Sequence, residues 1–134
     1  MIEYYGWVNI RDNAYESDSS DLYQIVEDIK SLTEEIEFDG RILQLKWMNG
    51  NCILCAAGST NHRTKSVTDV IKLVEIIAQR APGSYGVLYV YDDEDKEGTN
   101  DEFQVFRIAK GKCSVEQDKL FSPCSVKIFE SSPL

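Results

Sequence analysis

One histidine, a Cys-x-x-Cys pair and a run of carboxylates are the residues of this chain whose types and spacing could do chemistry. His62 stands in the polar stretch "GSTNHRTK", with Ser59 and Cys55 just upstream. An imidazole activates a nucleophile only within hydrogen-bond reach. His62 with Cys55, or with the acidic turn at 92–97, would make a small hydrolase or a metal-binding regulator. Against this, no strand–turn–helix nucleophile motif and no phosphate-cradling glycine loop accompanies them. A histidine among Thr and Asn more commonly shapes a turn. Cys52 and Cys55, in "NCILC", follow a turn inside a strand-like run, whereas a redox pair opens a helix that lowers its thiol pKa. Cys113 and Cys124 lie too far apart to complete a structural zinc pattern. Reduced cysteines that pack as small hydrophobes are expected.

The carboxylates are the larger signal. Asp92, Asp93, Glu94, Asp95, Glu97, Asp101 and Glu102 face only Lys96, so this segment holds six of the chain's nine net negative charges. Like charges that close repel, so the run is either a solvated loop or a surface that meets a cation. Asp93, Asp95, Glu97 and Gly98 imitate the first half of a calcium loop, but the twelfth position is Gln104 and both flanks read as strands. No metal and no other cofactor is expected. Carboxylates clustered beside Tyr89 and Tyr91 do suit protein docking, with charge to steer the encounter and rigid rings to anchor it. The expected partner contacts are Asp92, Asp93, Glu94, Asp95 and Glu97 with Tyr89 and Tyr91. Asp12, Glu16 and Asp18 form a second patch.

The elements that must position these groups follow from periodicity. Ile2, Tyr4, Gly6, Val8 and Ile10 alternate with Glu3, Tyr5, Trp7, Asn9 and Arg11, which predicts a strand with one face inward. Leu22, Ile25, Val26, Ile29, Leu32 and Ile36 recur at helical spacing, as do Val67, Val70, Ile71, Val74, Ile77, Ala78 and Ala81. Ser66 and Asp69 suggest a capping box for the second helix, and Pro82-Gly83 ends it. Between the helices, Asn49-Gly50 joins two strand-like runs as a hairpin. Residues 85–91 and 103–109 read as two more strands flanking the acidic turn, with a short closing strand expected near "LFSPCSVKIFE".

At 134 residues the chain fits one domain, 1–134, with a core of its own. The order β-α-β-β-α-β-β predicts a split βαβ arrangement: an α+β fold with a mostly antiparallel sheet of five or six strands. Each helix has one apolar stripe, so both are expected on one face, leaving the other partly open. If the first and third strands are central and parallel, loops 12–20 and 58–65 share one end of the sheet. The turn at 92–101 then falls at the other end, beside Asn49-Gly50, with no basic loop near it. Gly6, Trp7, Gly83, Tyr85 and Gly86 are expected to maintain the fold.

A net charge of −9 excludes general binding to nucleic acid or to anionic membranes, since both need a basic face. Aromatic strands such as "GSYGVLYV" would otherwise suit base stacking. The first residues lack a signal-peptide pattern and no apolar run approaches the roughly 18 residues of a membrane span, so a cytoplasmic location is expected.

Four blocks carry a likeness to a known family: "YYGWVNIRD" (4–12), "TNHR" (60–63), "APGSYGVLYVYDDED" (81–95) and "AKGKCSVEQDKLFSPC" (109–124). Together they make the chain resemble immunity protein 7 of bacterial polymorphic toxin and contact-dependent inhibition systems. The resemblance implies a cytoplasmic antitoxin without enzymatic activity that binds the C-terminal domain of a cognate toxin. Many effectors of such systems are nucleases with basic clefts, which an acidic inhibitor can occupy as a charge mimic.

Overall fold

The computed structural model describes residues 1–13, 20–36, 41–94 and 101–123. Alternation makes β1 (Ile2–Ile10) a strand whose Ile2, Tyr4, Val8 and Ile10 are buried. The helical stripe of α1 (Ser20–Glu35) buries Leu22, Val26 and Ile29. Next come β2 (Ile42–Met48) and β3 (Asn51–Thr60), joined at Asn49-Gly50. Both turn residues have positive φ (51° and 79°), the backbone twist that a two-residue hairpin needs. After α2 (Lys65–Arg80) follow β4 (Tyr85–Asp92), β5 (Phe103–Ala109) and β6 (Lys112–Gln117).

The six strands form one sheet in the order β2-β3-β1-β4-β5-β6, and every neighbouring pair is antiparallel. The fold is α+β, as the periodicity predicts. Leu54, Leu88, Val90 and Ile108 from the sheet join Val67, Val70, Leu73, Val74 and Ile77 of α2 and the stripe of α1 in one core, so both helices cover the same face. At the centre, β1 and β4 pack too closely for side chains on Gly6 and Gly86, which lie opposite Leu88 and Val8. A Cβ on Gly86 would lie 2.2 Å from the Trp7 carbonyl oxygen, and one on Gly6 2.5 Å from that of Val87.

Two local expectations are corrected. β1 and β3 are central but antiparallel. A helical crossover returns β2 parallel to β1, and the hairpin then reverses β3. Loop ends are therefore exchanged: the acidic turn shares its end with the 58–65 loop, not with Asn49-Gly50. The α2 cap is Thr64, extended at φ −109° with no side-chain cap bond, and Ser66 lies inside the helix. Lys110 and Gly111 (φ 56° and 75°) make a second tight hairpin that starts β6 at Lys112, a strand beyond those expected. The short closing strand expected near "LFSPCSVKIFE" falls mostly outside the described residues. Cys124, with the rest of the tail, lies outside the described residues.

Candidate docking surfaces

The antiparallel register of β1 with β3 and β4 places Ile2 opposite both Thr60 and Asp92. One end of the sheet thus gathers the first residue, the 58–65 loop and the start of the acidic turn. His62 Nδ1 lies 2.7 Å from Glu94 Oε1, and Arg63 Nε donates to Asp92 Oδ2 at 3.4 Å. The Met1 ammonium donates to Asp93 Oδ1 at 2.5 Å, and this hydrogen bond raises its pKa above the ordinary value despite slight desolvation. The Glu94 N–H donates to Asp92 Oδ1 at 3.0 Å, which folds the turn back on its strand. Setting Arg63 and the ammonium against residues 92–102 leaves four net negative charges with His62 neutral. The expected unanswered cluster is therefore partly answered from within. Asp95 and Glu97 lie outside the described residues.

Other candidate groups are kept apart. Cys55 is five residues up the strand from Thr60, about 17 Å at strand rise, so His62 at Glu94 does not reach it. Cys52 and Cys55 differ by an odd number of positions and point to opposite faces. Cys52 is buried opposite Ile10, with its thiol pushed up to about 11 by that burial, whereas Cys55 is exposed opposite Trp7. Among the described residues no three His, Cys, Asp or Glu side chains converge to hold a metal ion. Asp12 accepts a 3.4 Å bond from the Asn13 amide beyond the last residue of β1, at the end away from the turn. Glu16 and Asp18 are outside the described residues. None of the helices described is long and apolar enough to cross a membrane.

The second surface is the sheet face that the helices leave uncovered. On it Tyr5, Trp7 and Tyr85 are each close to 45% exposed (45%, 45% and 44%). Trp7 meets Tyr85 edge to face at 6.1 Å, and the Asn9 amide donates to the Tyr85 hydroxyl at 3.1 Å. Phe103 is the hub at the other end of the face, with ring contacts to Tyr5, Tyr89, Tyr91 and Phe121 at 5.6–6.5 Å. Tyr91 is only 8% exposed, so it serves this cluster more than a partner, and Tyr89 is half-buried. The Tyr5 hydroxyl donates to Glu3 at 3.0 Å. Burial first, then that bond, raises its pKa.

A ridge crosses this face. Asp118 accepts from the N–H groups of Leu120 and Phe121 and from the Ser122 hydroxyl, while Ser122 Oγ accepts from the Phe103 N–H. Burial pushes the Asp118 carboxyl pKa up, but those donors outweigh it and hold it below the usual value. Beneath the ridge, Tyr89, Val105 and residues 116–120 line an open cavity of about 490 Å³. Sequence reading expects this face to be partly open but assigns Trp7 and Tyr85 to maintaining the fold. The signal was present: Tyr5 and Trp7 alternate out of phase with Ile2, Tyr4 and Val8.

A family model for immunity protein 7 matches residues 1–130. No curated protein and no solved structure matches the chain.

Proposed function

The chain belongs to the immunity protein 7 family, and we propose that it binds a toxin effector domain and neutralises it by covering the active site. On this reading it is a single-domain, non-catalytic inhibitor that works in the cytoplasm, and its target is a basic nuclease. A cleft built to hold phosphates is positively charged, and an acidic protein can fill it as a charge mimic. The observation that supports the charge-based contact is the end of the sheet where Asp92, Asp93 and Glu94 open a segment that keeps four net negative charges after internal pairing. Asp95 and Glu97 extend the same contact, with Tyr89 behind it and Tyr91 holding the strand. Asp12, Glu16 and Asp18 are a secondary contact, since Asp12 lies at the opposite end of β1.

Co-production with the toxin domain encoded by the neighbouring gene tests the role. Growth should be restored, and the purified chain should abolish the toxin's activity at equimolar ratio. Failure to form any complex would sink the inhibitor reading. The mechanism is tested separately by the triple variant Asp92→Asn, Asp93→Asn, Glu94→Gln. Its association rate at low salt should fall roughly tenfold, the scale of electrostatic steering. An unchanged rate would move the contact elsewhere.

A further inference from the structure

The open face of the sheet is self-complementary, and we propose that a second copy of this chain packs on it, the strands of the two sheets running in opposite directions. The first argument is relief. The ridge, with Leu120 and Phe121 still 74% and 60% exposed, rises at the end of the face near Phe103. Trp7 and Tyr85 stand exposed at the other end, with no ridge above them among the described residues. A half-turn about an axis lying between the sheets and perpendicular to their strands brings each ridge over the other copy's Trp7–Tyr85 end. Apolar surface, including the exposed aromatic rings, is then buried at both ends of the contact.

Charge follows the same axis. Glu3 pairs with Tyr91 at the ridge end, next to the acidic turn. Lys46, Arg107 and Lys112, all exposed, lie toward the other end, opposite Ile53, Val87 and Ala109 respectively. A face acidic at one end and basic at the other repels a copy laid parallel to it and attracts one laid antiparallel. The net charge of −9 opposes approach from afar, but at physiological salt it is screened within about 8 Å. The area is adequate. Six strands about 4.8 Å apart and some seven residues long span roughly 600 Å² in plan. Side chains standing off that plane bring the accessible area toward the ~800 Å² per partner of a stable interface. Asp92, Asp93 and Glu94 end up at opposite ends of the pair, while Tyr89 and Tyr91 lie on the buried face and are shared with the proposed toxin contact.

Sedimentation velocity on the whole chain from about 1 to 200 µM tests the proposal, since a homodimer must respond to its own concentration. The expected result is a species of twice the chain mass that grows with concentration. Trp7→Ser and Phe121→Ser should each raise the dissociation constant at least about thirtyfold, the threshold of an interface hot spot. The exposed double variant Lys46→Glu, Arg107→Glu should do so without touching any ring, and thermal unfolding checks that each variant folds. A monomer throughout the range would overturn the proposal and leave the face to a toxin or another protein. A dimer unchanged in all three variants would also overturn it, because its contact would lie elsewhere.

Discussion

The charged corner and the aromatic face are carried by the same strands, yet they are held in opposite ways. At the corner, long side chains meet in pairs mostly open to water: His62 and Glu94 have side-chain exposures of 77% and 51%, and only Asp92, beside Arg63, is largely covered at 17%. Such pairs contribute little to stability, so the corner can exchange its internal cations for those of a partner at small cost. On the face, rings lock one another in edge contacts and a buried carboxylate fixes the ridge above them. That surface is preorganised, and whatever binds it meets a shape already formed.

The harshest way to break the comparison is to remove the strand pairing on which both regions depend. Gly86→Ala forces a methyl group against the Trp7 carbonyl and the β1 backbone, where nothing can move aside. It should cost about 3 kcal/mol, at the upper end for overpacking, and chemical denaturation would read it. Corner and face should fail together. Phe103→Ala separates them. It removes the hub of the ring cluster and should cost about 2–3 kcal/mol, below a fully buried phenylalanine because its ring is only partly buried. The corner pairs should persist, visible as an unchanged His62 environment by NMR. If His62 shifts as well, the two regions are a single cooperative unit and the contrast fails.

The fold was largely legible because its signals are local. Alternation in β1, two helical stripes and Asn49-Gly50 each depend on neighbours in sequence, and together they fix the α+β sheet with helices on one side. Strand direction was misread at a single point, by taking β1 and β3 as parallel, and that one sign moved the acidic turn to the wrong end of the molecule. Its consequence was large, because the partners of Asp92 and Glu94 are Arg63 and His62, roughly thirty residues away in sequence. Composition reports how much charge there is and is silent on what answers it. The ridge was missed for a similar reason. "KLFSP" resembles a strand by its apolar residues, and only the Asp118 carboxylate, bonding two to four residues ahead, turns it into a cap over Phe103.

Smaller substitutions sharpen the contrast. Asp118→Ala removes a carboxylate acceptor shared by three donors and should cost about 1–2 kcal/mol. The pH dependence has a definite sign. The folded carboxyl pKa lies below its unfolded value, so its stabilisation is complete above about pH 4 and is lost as pH falls through the folded value. Acid unfolding of the wild type should therefore include a component that Asp118→Ala lacks. Equal pH profiles would mean that the ridge is held by its rings alone.

The least effect on stability should come from the most conspicuous residues. Neutralising the corner with Asp92→Asn, Asp93→Asn and Glu94→Gln removes pairs that are exposed apart from Asp92 and also relieves the repulsion among the carboxylates. These changes oppose each other and leave a net shift within about 0.5 kcal/mol. Urea denaturation at low and high salt would read it. A loss of 2 kcal/mol or more would mean that the turn is a structural clamp on the first strand, as its contact with Met1 would then require. A near-zero change, beside the large cost of Phe103→Ala, would mean that the chain keeps its negative charge where folding does not depend on it, which leaves that charge available for encounter with another molecule.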